Sequence, residues 1–380
     1  MTKFVPFLIW LLLFWRLILC RPWTVRQKIS GGIALAVLIF PYHLLRLGSN
    51  HFAGSPLEDL PFEVWLAAQF LFCTACFLTV LTLLELALKP VAGWISRKET
   101  EKGRFRHWPS FPVLLLAAVL FSAIGIRISL MEPLERAYEV DLKNYPAGAG
   151  ELCIAAVSDL HFDPVYDHRY AARIVRALNA MKPDVILLLG DFTNTVNGLT
   201  PAVLAELKKL SAPEGVYAVT GNHEYYREGR ENFHRLDSAG IRFLCNEHAE
   251  LKKGGVFLAG VNDPGAKLET PRQFRIPRIG EAVKDVPPGR PMILMSHQPK
   301  LVHEAAEAGV GLQLSGHIHG GLFPGLHWLF ALMRGYTAGS YMQEQTELIV
   351  SAGTGIWCGF PCRFGILPEV LLVKVRRPPR

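Results

Sequence analysis

The chain has 380 residues, enough for two folded units of ordinary size. Half of the residues are hydrophobic and the mean hydropathy is +0.23, values that are high for a soluble protein and indicate a membrane part. The net charge is +7, but residues 151–380 carry 25 Lys and Arg against 23 Asp and Glu, so no nucleic-acid partner is expected for this half.

Four apolar stretches in the first third of the chain are candidates for membrane helices, which need about 20 residues to cross the hydrocarbon core. They are Phe4–Cys20, Ile29–Leu47, Phe62–Leu88 and Pro112–Met131. The first lacks a small-residue cleavage site, so we expect a retained helix rather than a secretory signal. Residues 1–131 are therefore predicted to form a transmembrane region of four helices.

The loops between these stretches differ in their basic residues. The first loop contains Arg21, Arg26 and Lys28, the third contains six Lys or Arg between residues 89 and 106, and the second, residues 48–61, contains none. Because cytoplasmic loops are enriched in Lys and Arg, the first and third loops are expected inside. The rest of the chain is then predicted to lie on the extracytoplasmic side of the inner (cytoplasmic) membrane.

Residues 132–150 are interpreted as a linker, because they begin with charged residues and end in a run of Pro, Ala and Gly at 146–150.

One pair of cysteines precedes the linker and another pair follows it. Cys73 and Cys76 lie in an apolar stretch and are expected to be packing residues. Cys358 and Cys362 lie in a Gly- and Pro-rich loop, where they either stay free or form a disulfide in an oxidising compartment.

From Leu152 onwards, short apolar runs alternate with helical segments, which is the pattern of an α/β domain. Helices are predicted at Arg169–Met181 and Pro201–Leu210. Strands are predicted at Leu152–Ser158, Asp184–Leu189, Gly215–Thr220, Pro291–Ser296 and Gly311–Ser315. Residues 151–380 are therefore predicted to be one catalytic domain.

Each of these five strands is followed by residues of the types that bind metals. They are Asp159 and His161, Asp191, Asn222, His297, and finally His317 and His319. The carboxyl ends of strands are where open α/β sheets bind ligands, so five such endings predict a metal site. Asp-x-His and His-x-His are expected to point both side chains to one side of an extended segment. Two cations held about 3.5–4 Å apart by such ligands can clamp the attacking and leaving oxygens of a phosphoryl displacement.

The same residues carry a family resemblance. In order, the motifs Asp159-x-His161, Gly190-Asp191, Gly221-Asn222-His223-Glu224, His297 and Gly316-His317-x-His319 resemble the five motifs of the calcineurin-like metallophosphoesterases. The resemblance covers residues 151–380. It implies an α/β sandwich of two mixed β-sheets flanked by helices, here preceded by the transmembrane region.

The resemblance also implies a binuclear centre of divalent or mixed-valence ions, with Mn, Fe and Zn left open. The first metal would be held by Asp159, His161, Asp191 and His319, and the second by Asp191, Asn222, His297 and His317. His223 matches the histidine that donates a proton to the leaving group. Glu224 stands where an Asp that orients this histidine is more frequent.

The stretch after His319 resembles the membrane-associated bacterial branch of the superfamily, in which one relative acts on a lipid pyrophosphate. Leu322–Met333 is unusually apolar for a loop. It is either a small helix that covers the core or a segment that enters the membrane interface and grips an acyl chain. Arg363 either meets substrate phosphate or is a surface charge.

Three classes of function compete at this point. The favoured one is a membrane-anchored phosphoesterase that hydrolyses diester, pyrophosphate or monoester bonds, with lipid-linked substrates and the bilayer as expected partners and no protein partner evident. A non-catalytic membrane sensor or scaffold would be favoured by a missing ligand, and none of the seven is missing. A transporter is disfavoured because the apolar stretches hold few charged residues, all near their ends.

Overall fold

The computed structural model divides the chain into two compact units. The helical unit comprises Met1–Arg127 with Cys358–Cys362, and the sheet unit comprises Ile128–Trp357 with Arg363–Arg380. The structure describes residues 5–51, 57, 59–98, 111–195, 198–225, 229–266, 275–321, 325–356 and 361–379.

The N-terminal helices are α1 (Val5–Phe14), which continues as a π-helical turn to Leu19, then α2 (Val25–His51), α3 (Phe62–Lys98) and α4 (Phe111–Ser129). Three segments are long and apolar enough to cross a membrane: Val25–Gly48, Phe62–Leu88 and Phe111–Ser129. Val5–Leu19 is a shorter apolar helix, about 22 Å long at 1.5 Å per residue. Among the described residues, three of the four predicted spans therefore have the length and apolarity of a membrane helix, and the first, Val5–Leu19, is shorter.

Some polar and sulfur-containing side chains of these helices are paired or buried. The guanidinium Nη2 of Arg16 lies 2.9 Å from Oε1 of Glu85, so two charges that would be costly in lipid neutralise each other. Cys73 and Cys76 are buried free thiols in α3, as expected for packing residues. Cys358 lies outside the described residues, so both alternatives for Cys358 and Cys362, free thiols or a disulfide, stay predictions.

The sheet unit contains two six-stranded sheets. The strand order of the first is β1 (Leu134–Asp141), β12 (Glu369–Arg376), β2 (Leu152–Val157), β3 (Val185–Leu188), β4 (Val216–Ala218) and β5 (Arg242–Phe243). The order of the second is β10 (Gly339–Gln343), β11 (Thr346–Val350), β9 (Leu312–Ser315), β8 (Met292–Met295), β7 (Phe257–Gly260) and β6 (Glu247–Glu250). Both sheets are mixed, because β12 runs antiparallel to β2 and both β6 and β10 run antiparallel to their neighbours, while the other pairs are parallel.

The apolar faces of the two sheets form one core. Ile154 and Leu187 of the first sheet and Leu258, Ile293 and Leu314 of the second are fully buried in the same cluster. The helices of this unit are α5 (His168–Ala180), α6 (Pro201–Leu207), α7 (Gly229–Asp237), α8 (Ile279–Ala282), α9 (Val302–Glu307) and α10 (Leu326–Arg334). The predicted sandwich of two mixed sheets flanked by helices is confirmed.

The segment interpreted as a linker contains a strand. Leu134–Asp141 pairs in parallel with β12 over its full length, from Leu134 opposite Glu369 to Asp141 opposite Arg376. Most of its side chains are exposed and several are charged, so it lacks the alternation of buried and polar positions that identifies a strand in sequence. The linker interpretation is wrong for these eight residues.

Candidate metal centre

The predicted metal-binding residues lie where the first and second sheets end, in turns that directly follow the strands. Asp159 and His161 follow β2, Asp191 follows β3, Asn222 follows β4, His297 follows β8, and His317 and His319 follow β9. Five of them have left-handed backbones, with φ of 57° at Asp159, 50° at His161, 57° at Asp191, 74° at His317 and 50° at His319. The expectation of extended Asp-x-His and His-x-His segments is therefore wrong. The side chains converge through strained turns, of the kind that cluster at functional sites.

Asp159, His161 and His319 form one cluster, which we call the first half-site. Nε2 of His161 lies 3.2 Å from Nε2 of His319, and Nε2 of His319 lies 3.3 Å from Oδ1 of Asp159. This Oδ1 is buried and accepts no hydrogen bond from the described residues. A buried carboxylate oxygen facing two imidazole nitrogens fits a divalent cation, which accepts both oxygen and nitrogen ligands.

Asp191, His297 and His317 form a second cluster of potential ligand atoms, which together with Asn222 we call the second half-site. Oδ2 of Asp191 lies 3.3 Å from Nε2 of His297 and 3.7 Å from Nε2 of His161. The same carboxylate thus faces both half-sites. His297 is oriented by its Nδ1, which lies 2.7 Å from the carbonyl oxygen of Leu189.

His223 and Asn222 lie beside Asp191. The backbone N–H of His223 donates to Oδ1 of Asp191 at 2.9 Å, and Asn222 is buried. The ring Nδ1 of His223 lies 3.2 Å from the carbonyl oxygen of Thr193, while its Nε2 lies 4.0 Å from Oδ2 of Asp191. The ring is thus held from behind with its second nitrogen toward the cluster.

Glu224 has contacts that the sequence did not predict. Its buried carboxylate accepts hydrogen bonds from the backbone N–H groups of Asp191 at 2.9 Å, Phe192 at 2.8 Å and Gly221 at 2.7 Å. These bonds fix the turn that carries Asp191 to the turn that carries His223. The carboxylate that was expected to orient the His223 ring therefore ties the two turns together through their backbones.

Burial and neighbouring charge oppose each other in setting the pKa of Asp191 and His319, and they act together on the pKa of Glu224. Burial alone would raise the pKa of Asp191, but the rings of His297 and His223 hold it well below its usual range. Burial lowers the pKa of His319 to about 3 despite the charge of Asp159. Burial, and then the charge of Asp191, raise the pKa of Glu224 to about 7. An ionised Asp191 and a neutral His319 are the forms that bind metal.

A glycine-containing segment to which the sequence assigned no role packs against the first half-site. Residues 351–356, here called the glycine loop, run alongside the turn after β2, where Gly355 N–H donates to the Asp159 carbonyl at 2.6 Å. A Cβ atom at Gly353, where φ is 68°, would lie 2.8 Å from Cβ of Asp159, and one at Gly355 would lie 2.9 Å from Cβ of His161. The two glycines in the run 351–355 are the signal that was available, because Gly permits close approach of backbones.

Arg363 is neither a surface charge nor placed for contact with substrate, since it is 0% exposed. Two further carboxylates of this unit, Asp163 and Asp263, are buried. Asp163 Oδ1 accepts the backbone N–H groups of Val165 and Tyr166, which makes it a turn residue. Asp263 is buried and accepts two hydrogen bonds from Gln298, the residue after His297.

The apolar segment after His319 forms α10, and residues 322–324 lie outside the described part. Trp328 is 73% exposed, Leu332 is 85% exposed and Met333 is 68% exposed. Trp328 and Leu332 are four residues apart and share one face of the helix, and Met333 is turned about 100° around the helix from Leu332. These three side chains do not cover the core.

The chain is similar in sequence to known proteins. The family described as calcineurin-like phosphoesterase matches residues 153–321. A "transmembrane protein with metallophosphoesterase domain" of Bos taurus is 30% identical over 318 residues, which cover 80% of this chain and 71% of that protein. Its counterpart from Danio rerio is 29% identical over 334 residues, covering 82% of this chain and 74% of that protein. An "uncharacterized metallophosphoesterase" of Aquifex aeolicus is 34% identical over 247 residues, covering 63% of this chain and 90% of that protein.

Proposed function

The chain belongs to the calcineurin-like metallophosphoesterases and is a metal-dependent hydrolase of phosphoric ester bonds, and we propose that it works with two divalent cations that share Asp191. One observation carries the proposal: a single carboxylate oxygen, Oδ2 of Asp191, lies within 4 Å of nitrogens from both half-sites, His297 at 3.3 Å and His161 at 3.7 Å. A shared carboxylate is the usual way to hold two cations close enough to act on one phosphoryl group.

The ligand sets follow from the half-sites. One cation would be held by Asp159, His161, Asp191 and His319, and the other by Asp191, Asn222, His297 and His317. These oxygen and nitrogen donors suit Mn, Fe and Zn alike. The bound ions would polarise the phosphoryl oxygens and lower the pKa of a water molecule so that it can attack phosphorus.

His223 is proposed to donate the proton that the leaving oxygen needs. The carbonyl oxygen of Thr193 holds Nδ1, so Nε2 is the nitrogen directed at the cluster. A protonated Nε2 can then donate to an alkoxide or phosphate as it departs. The substrate bond is a phosphodiester, a pyrophosphate or a phosphomonoester.

The purified full chain in detergent tests this function. Elemental analysis should find about two metal ions per chain, and bis-p-nitrophenyl phosphate, p-nitrophenyl phosphate and a lipid pyrophosphate should be compared as substrates. His223→Ala is expected to lower the rate about 10²–10⁴-fold for an alkyl leaving group and much less for p-nitrophenolate, which leaves without a proton.

The control is His168→Ala, which removes an exposed imidazole of α5. It should leave both rates unchanged. An equal loss on both kinds of leaving group in His223→Ala would contradict the proton-donor role. A protein that binds no metal would contradict the function itself.

The chain is a membrane protein, and we propose that its substrates include lipid-linked phosphoesters. The exposed apolar side chains of α10, which are Trp328, Leu332 and Met333, support this proposal. The helix begins seven residues after His319, so the chain leads directly from a metal ligand into this helix. Burying such side chains in acyl chains or in the membrane interface is favourable by about 1.5–3 kcal/mol each.

A triple substitution of Trp328, Leu332 and Met333 by Ser separates the two substrate classes. Hydrolysis of bis-p-nitrophenyl phosphate should stay near the wild-type rate, while hydrolysis of a lipid phosphoester in vesicles should fall. Met333→Ser and Met342→Ser form a matched pair, because Met342 on β10 is 66% exposed, close to the 68% of Met333. Equal effects of the two single variants on the lipid substrate would contradict the role of α10.

We propose further that the sheet unit lies on the extracytoplasmic side of the inner membrane. The basic first and third loops are separated by two helices of spanning length, Val25–Gly48 and Phe62–Leu88, so both stay inside whether or not Val5–Leu19 crosses. A reporter that is active only outside the cytoplasm, fused after Arg380, should be active. Activity of a cytoplasm-only reporter at the same position would overturn this orientation.

A further inference from the structure

Arg363 is a charged side chain that is completely buried. The proposed reaction does not use it. Its Nε donates to the carbonyl oxygen of Gly355 at 3.0 Å, and its Nη2 donates to the carbonyl oxygens of Gly355 at 2.6 Å and Ala352 at 2.8 Å. A guanidinium without solvent is costly unless acceptors surround it. Here the acceptors are backbone carbonyls, and both belong to the glycine loop.

The glycine loop that Arg363 holds is also hydrogen-bonded to the turn of the first half-site. Gly355 donates to the carbonyl of Asp159 at 2.6 Å, and Thr354 donates to the carbonyl of Ser158 at 3.1 Å. The close approach of Gly353 to Asp159 leaves no room for a side chain. Any shift of the loop would therefore move the strained turn that carries the first ligands.

Arg363 also lies behind His319. Its Nη2 is 3.5 Å from Nδ1 of His319, while Nε2 on the other side of that ring faces Asp159 at 3.3 Å. The guanidinium thus contacts the back of an imidazole whose front belongs to the first half-site. One side chain in this way contacts His319 directly and supports the turn of Asp159 and His161 through the glycine loop.

The backbone of Arg363 is itself fixed within the sheet unit. Its N–H donates to Oγ of Ser129 at 2.7 Å, and Ser129 is fully buried at the end of α4. Arg363 is the first residue after Cys358–Cys362, which group with the helical unit. Ser129 thus anchors the chain at the point where it returns to the sheet unit.

We propose that Arg363 is a positioning residue of the metal centre, which holds the glycine loop and His319 in place so that the first half-site is formed before the cation binds. The inference rests on the proposed function in one respect, the presence of a cation at the first half-site. Partners behind metal ligands typically contribute about 10–100-fold to metal affinity. Arg363 would act through the carbonyls of Ala352 and Gly355, without touching the substrate.

Mn²⁺ titration of the full chain in detergent tests the inference, with stoichiometry and dissociation constants as readouts beside thermal unfolding of the metal-free protein. Arg363→Met is expected to weaken binding of one of two Mn²⁺ ions about 10–100-fold. Arg363→Lys should give an intermediate value, because an ammonium cannot reproduce the fork of N–H donors. Ser129→Ala should weaken the same ion by a smaller factor.

Arg290→Met is the matched control, because Arg290 also donates to a backbone carbonyl, that of Gly255 at 2.8 Å, but is partly exposed. It should leave both Mn²⁺ constants unchanged. If Arg363→Met and Arg363→Lys lower the unfolding temperature but keep the Mn²⁺ constants within twofold of wild type, Arg363 is only structural and the inference is overturned. If Arg363→Met does not fold, Arg363→Lys and Ser129→Ala decide by the same criterion. A wild-type chain that binds no Mn²⁺ would instead refute the proposed function.

Discussion

The two half-sites of the metal centre are supported by different kinds of groups. Backbone in close contact surrounds the first half-site, where the glycine loop leaves no space beside Asp159 and Arg363 ties that loop in place. Buried carboxylates border the second, where Glu224 binds the turn of Asp191 and Asp263 lies behind Gln298. We therefore expect the first half-site to depend on shape and the second on buried charge. Changes of volume should therefore act on the first, and changes of polarity on the second.

The largest effect is expected at Asp191, the residue that both halves share. Asp191→Asn keeps an oxygen that can accept the His223 N–H, so the turn should stay folded. The amide lacks the negative charge needed between two cations. Metal content by elemental analysis should fall from about two per chain to one or none, with turnover reduced by more than about 100-fold.

Asp163→Asn is the control for Asp191→Asn, because Asp163 is also a buried carboxylate that accepts backbone N–H groups. It should retain its metals. If Asp191→Asn retains both metals and full activity, Asp191 is not a ligand shared by two cations. The distinction between the two half-sites would then no longer hold.

The second largest effect is expected from a change of shape at the first half-site. Gly353→Ala places a methyl group against Asp159 and forces a left-handed backbone on Ala, so we expect weaker binding of one Mn²⁺ ion by about 10–100-fold. Gly240→Ala imposes the same backbone penalty, about 1–2 kcal/mol, because its φ is 81° while nothing lies within 4 Å of its added Cβ. Titration and thermal unfolding should show a loss of stability in both variants but a loss of affinity in Gly353→Ala alone. Equal affinities would show that the first half-site tolerates changes of shape.

The smallest effect is expected from a change of polarity beside the second half-site. Gln298→Leu removes the two side-chain donors at 2.9 and 3.1 Å from the buried carboxylate of Asp263. The unfolding free energy should fall by about 1–3 kcal/mol. The dissociation constant of the Mn²⁺ ion at the second half-site should also change. Gln313→Leu, a buried glutamine that donates to Ser315 and has no carboxylate partner among the described contacts, should lose stability without altered Mn²⁺ binding. Unchanged binding in both would separate Asp263 from the second half-site.

The sequence predicted an α/β domain and its strand ends because both depend on local pattern, whereas the sandwich of two mixed sheets was implied by the family resemblance. Apolar runs that end in Asp, Asn or His mark the carboxyl ends of strands, and all five predicted strands are confirmed as β2, β3 and β4 of the first sheet and β8 and β9 of the second. Membrane spans were also readable from composition, apart from the short first helix.

What the sequence could not predict depends on partners far along the chain. Glu224 accepts hydrogen bonds from the backbone of Asp191 and Phe192, more than 30 residues away in the chain. The sequence does not show these partners, so Glu224 was predicted to orient its neighbour His223. Arginine is rarely buried, and nothing near Arg363 in sequence reveals the carbonyls that accept its hydrogen bonds. The left-handed turns also escape prediction, because they require strain that the rest of the fold imposes.

Strand β1 has a consequence for solubility when the sheet unit is produced as a fragment. The boundary at residue 151, which composition favours, would remove β1 and leave β12 as an open edge. That strand has the sequence EVLLVKVR, and a bare apolar edge invites pairing between copies and aggregation. A fragment beginning at Glu132 would keep the edge covered, and the exposed charges of Glu135, Arg136 and Glu139 would then discourage further strands from adding.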